Sequence, residues 1–145
     1  MLEKANVLPL ELNDAFQFRK VKLYYYNQLP LPITTSETIA FERRRIEWGA
    51  LNNYDRQMLY GNYFTFFWRN REEADVTIRL EYRQAALGNH VMAMERYYPG
   101  ARGSHQSDFE VTGDNYQEFG QVTAWRALLI VDGRIVALKQ SFMWR

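Results

Sequence analysis

The sequence predicts an all-β protein: a single antiparallel β-sandwich of seven to eight strands, ending in a long Asp-Gly hairpin. Three observations carry this. Asp132-Gly133 separates two β-rich arms, Val122–Val131 and residues 134–144, and a two-residue Asp-Gly link favours a type I′ turn with positive φ at both positions. Val76, Ile78, Leu80 and Tyr82 alternate strictly with Thr77, Arg79, Glu81 and Arg83, the pattern of a strand with one buried face. Four Trp, ten Tyr and nine Phe among 145 residues favour pleated, half-buried surfaces over helices.

The elements follow in order. Residues 1–14 read as a lead-in, extended before Pro9 and turning at Asn13-Asp14. Phe16–Tyr26 is the first strand. Phe16 and Phe18 alternate in one phase, Val21, Leu23 and Tyr25 in the other, so a bulge or bend is expected at Arg19-Lys20. Leu29-Pro30-Leu31-Pro32 is an extended connector. It divides one domain into a lead-in with its first strand, residues 1–32, and a main body, residues 33–145. Residues 35–48 read as strand, with a helix from Ser36 as the open alternative, and residues 49–57 read as a loop.

Residues 58–69 carry rings on both faces, and residues 70–75 form a charged turn before the alternating strand. Gly88-Asn89 is a turn, residues 90–98 a strand, and residues 99–106 a polar, glycine-rich tip. A short strand at Phe109 and Val111, a turn at Gly113-Asp114-Asn115 and the final hairpin complete the chain.

Many short strands in a chain of this length resemble the immunoglobulin- and fibronectin-like sandwiches. Tyr116, in a turn just before a strand containing Trp125, loosely resembles the tyrosine that such folds place at a corner. A rival architecture, a long curved sheet wrapped around helices, needs helices that residues 1–57 do not supply.

Composition narrows the function. Eighteen Lys and Arg against seventeen Asp and Glu leave a net charge of +1, which disfavours a duplex-binding role. The basic clusters Arg43-Arg44-Arg45 and Trp68-Arg69-Asn70-Arg71 have Glu42, Glu47, Glu72 and Glu73 beside them, so cross-strand ion pairs are expected. Cysteine is absent, which removes disulfides and thiolate chemistry. His90 and His105 lack ligand spacing, and Ser104-His105 with Asp108 sits on one loop without a nucleophile elbow. No cofactor or metal is expected. No apolar run approaches the roughly 18 residues of a membrane helix. The first residues lack a signal-peptide core. A cytoplasmic protein and an exported domain shorn of its signal both fit, with a periplasmic or extracellular setting favoured in the second case.

The chain therefore reads as a non-catalytic protein–protein interaction or assembly module, in the setting of an exported bacterial complex. The expected partner is a protein or a second copy of the chain. Tyr63, Phe67, Tyr97, Tyr98, Phe142 and Trp144 are the candidate interaction residues, because exposed rings anchor interfaces. The alternative is a sandwich binding a carbohydrate or small ligand on surface rings. An enzymatic reading requires Glu81, Glu95 and Asp108 to converge.

Overall fold

The computed structural model describes residues 8–26 and 53–144. The proline connector 29–32, the segment 35–48 with its arginine cluster, and Trp48 lie outside these. The elements are β1 (Phe16–Tyr26), α1 (Asn53–Leu59), β2 (Gly61–Gln84), a 3₁₀ turn (Ala85–Leu87), β3 (Met92–Thr112), α2 (Gly113–Phe119), β4 (Val122–Val131) and β5 (Arg134–Gln140). The protein is all-β in its core, with every ladder between strands antiparallel.

Five strands stand among the described residues where seven or eight were expected in the whole chain: two pairs of expected strands are continuous, and the strand expected over residues 35–48 lies outside the described residues. The 70–75 turn lies inside β2, and the 99–106 tip lies inside β3. Both strands bend there without separating. The ladder shifts register between Asn70 and Ala74 and again between Ala74 and Val76. Such bulges sharpen local twist while hydrogen bonding resumes on either side.

The bent β2–β3 hairpin organises everything else. The first half of β2 pairs β1, from Tyr26 opposite Gly61 to Phe16 opposite Asn70. The second half pairs β4, from Thr77 opposite Ile130 to Gln84 opposite Val122. The sheet thus curls, and its halves face each other. Trp125 stands opposite Tyr82 in the second half, yet its ring meets Phe66 and Phe64 of the first half at 5.6 and 6.1 Å. Phe66, Val76, Ile78, Leu80, Ala127 and Leu129 are fully buried between the halves.

The expected phase flip in β1 is a register shift between Phe18 and Lys20. Asp132 and Gly133 take φ of 51° and 72°, as a type I′ turn requires. β5 stops at Gln140, short of the arm expected through residue 144. Two short helices occupy segments read as loop and turn. Seven residues make about two helical turns, too few for periodicity to show in sequence.

The lead-in closes the curl. Glu11 N–H donates to the Ile135 carbonyl at 2.9 Å, Asn13 N–H to Val136 at 3.0 Å, and Ile135 N–H to Pro9 at 2.9 Å. Leu8 packs on Leu128, Ile130 and Ile135. The chain then turns at Asn13, whose Oδ1 accepts from Ala15 N–H at 2.9 Å, and enters β1.

Candidate functional site

Ser141 ends β5 with a set of local bonds. Its N–H donates to the Trp125 carbonyl at 2.9 Å, its Oγ accepts from Trp125 N–H at 3.0 Å, and its carbonyl accepts from Trp144 N–H at 3.1 Å. Trp144 folds back and is buried. Arg83 and Arg126 stand over its ring, their guanidinium carbons 4.3 and 5.1 Å from the centroid. Cations prefer a tryptophan face, so this stack fixes the ring.

Arg126 is held in turn. Glu81 accepts Arg126 Nε at 2.9 Å and its Nη2 closer still, and Arg79 bridges Glu81 at 3.7 Å and Glu95 at 2.6 Å. Between the Ser141 clamp and the Trp144 stack, Phe142 and Met143 point outward, 87% and 61% exposed.

The other expected interaction residues lie elsewhere. Tyr97 is 63% exposed on β3, opposite Thr77. Tyr98 is half-buried, its hydroxyl 2.6 Å from Ser107 Oγ and its ring 5.2 Å from Trp68. Tyr63 and Phe67 are half-buried on the outward side of the other half of β2, and Tyr63 donates to the Leu59 carbonyl at 2.5 Å. The structure gathers no single ring platform from these six. It places Phe142 in the open and Trp144 beneath the arginines.

Glu81 and Glu95 share Arg79, while Asp108 accepts from Thr65 at 2.7 Å in the other half of the sheet. Among the described residues, no three His, Asp or Glu side chains come close enough to hold a metal ion. His105 stacks on Trp68 with centroids 4.2 Å apart and meets Asn70 Oδ1 at 3.0 Å. Burial pushes its pKa below the ordinary histidine value. A cleft of about 590 Å³ opens where the lead-in, the β2 bend and the β4–β5 turn meet, with Glu11, Asp14, Glu73 and Asp132 in its wall beside Arg71 and Arg134. No described helix is long and apolar enough to cross a membrane.

The chain matches no protein-family model, and comparisons with curated proteins and with solved structures find no match.

The sequence reading missed the Glu81–Arg126–Trp144 assembly. Its partners come from β2, β4 and the segment after β5, and nothing in their spacing announces a meeting. The alternation through Glu81 marked it as solvent-facing, yet it is 7% exposed, with Arg126 and Arg79 paired against it.

Proposed function

We propose that the chain is a non-catalytic assembly module that associates with a second copy of itself through the Phe142–Met143 turn. The observation that carries this reading is a pair of large apolar side chains exposed on backbone that Ser141 and Trp144 hold in place. Burying such a side chain is worth roughly 1.5–3 kcal/mol. An anchor that is already ordered loses little entropy on docking. The balanced charge, +1 overall, lets two copies approach without strong repulsion.

The test is molar mass by light scattering across a concentration series. The reading expects a dimer at high micromolar protein, and a monomer for Phe142→Ser with Met143→Ser. A strict monomer in the parent protein overturns it. The glycan alternative has less support: Trp68, Trp125 and Trp144 are buried, and the exposed rings among the described residues, Tyr25, Tyr97 and Phe142, lie on separate elements.

For the architecture, we extend the curled sheet to a sandwich-like reading. The two facing halves would serve as the layers, with the bent hairpin contributing to both. The rings of Phe64, Phe66 and Trp125 packed across the interior support this.

A further inference from the structure

We propose that the cleft formed by Arg69, Arg71 and Arg102 binds a phosphate group. The cleft measures about 320 Å³ and is lined by these arginines with Asn70, Gly103 and Ser104. That is near the small end of the roughly 300–1,000 Å³ of ligand sites.

The two strands bring the charges together. Arg69 and Arg71 are two apart on β2, and Arg69 stands opposite Ser104 with Asn70 opposite Gly103, which sets Arg102 beside them. The expected pairing of Arg69 and Arg71 with Glu72 and Glu73 does not occur. None of the three guanidinium groups forms an ion pair or side-chain hydrogen bond among the described residues, although Arg79, Arg126 and Arg134 all do. Three like charges lining one cleft, none of them in direct contact with a carboxylate, repel one another, and an anion among them relieves that repulsion.

The backbone beneath them is fixed. Asn70, 1% exposed, donates from Nδ2 to the Ala101 carbonyl at 2.6 Å and the Glu72 carbonyl at 2.9 Å, and Arg71 N–H donates to the Ala15 carbonyl at 2.9 Å. Each arginine therefore lies next in sequence to a residue tied down by Asn70, or next to Asn70 itself. Guanidinium forks fit tetrahedral oxyanions bidentately, which selects phosphate over chloride. With a net charge of only +1, the chain as a whole offers little long-range attraction to anions, so the binding must come from these local contacts.

A free phosphate monoester and a lipid phosphate offer the same chemistry, and two arms separate them. In the first, inorganic phosphate is titrated into the intact chain at constant ionic strength, with calorimetry and thermal melting as readouts. In the second, the chain is mixed with phosphatidylglycerol or phosphatidylcholine vesicles and sedimented.

The proposal expects a saturable response to phosphate that chloride does not reproduce, or sedimentation with phosphatidylglycerol vesicles alone. Either must weaken by at least about tenfold in Arg71→Gln with Arg102→Gln, the change that loss of a charge-assisted partner brings. Both arginines are exposed, so the double variant keeps its fold, checked by circular dichroism. Lys139→Gln, on exposed β5 surface, must leave the response unchanged. Absence of a response in both arms, or one that the double variant retains, overturns the site. Dimer mass reads the self-association surface separately, so the two proposals fail independently.

Discussion

Asn70 uses its whole side chain to hold backbone. Its amide donates to two carbonyls across the β2–β3 bend, and its oxygen meets His105. Asn70→Ala leaves the buried Ala101 carbonyl without this donor, and a loss of about 2–3 kcal/mol is expected in urea unfolding. His105 beside it titrates below its ordinary value, so the unfolded chain takes up a proton first as pH falls. Stability is complete above the unfolded-state pKa of about 6.5 and declines as pH drops through the folded value. Comparing melting temperatures at pH 7 and pH 5 checks this. His105→Phe, which keeps a ring against Trp68, is expected to flatten the acid limb. In the core, Phe66→Ala removes a fully buried ring packed on Phe18, Phe109 and Trp125 and is expected to cost roughly 3–5 kcal/mol.

At the scale of elements, β2 shows what periodicity reveals and what it hides. Its second half was legible because Val76, Ile78, Leu80 and Tyr82 face one way. All four are buried. Residues 70–75 were read as a turn because they are polar and break the alternation, yet the strand passes through them on two register shifts. The start of β2 is fixed by Gly61, at φ 150°, where an added Cβ would lie 2.0 Å from the Val111 carbonyl oxygen. Gly61→Ala must therefore spread β2 from β3 at the open end of their hairpin, where Gly61 stands opposite Thr112. A loss of at least about 2 kcal/mol is expected, with earlier hydrogen exchange of Asn62 and Tyr63 amides as the local signature.

The molecule as a whole is a curled sheet closed by its own lead-in. Residues 9–13 occupy the outer edge of β5. Removing residues 1–13 is expected to expose that edge, lower the melting temperature and produce aggregates that light scattering detects. A second tie joins β1 to α2, where the Tyr25 and Tyr116 hydroxyls meet at 2.5 Å. Burial, reinforced by Tyr25, pushes the Tyr116 phenol well above its ordinary value. The folded state then holds its proton while the unfolded state ionises near pH 10, so stability is complete below that pH and lost as pH rises beyond it. Tyr116→Phe is expected to reduce this alkaline loss, measured as melting temperature from pH 8 to pH 11.

The sequence by itself determined the all-β class, the bulge after Phe18, the Asp132-Gly133 turn and the buried face of the second half of β2. Each depends on neighbours in the chain, through φ preferences or the two-residue period of a strand. Tertiary structure alone decided that β2 and β3 bend without breaking, that the lead-in closes the sheet, that Trp144 turns inward while Phe142 stays out, and that Arg102 joins Arg69 and Arg71. These are meetings between segments tens of residues apart. They are settled by which surfaces remain to be covered once the hairpin has curled, and no local pattern encodes that.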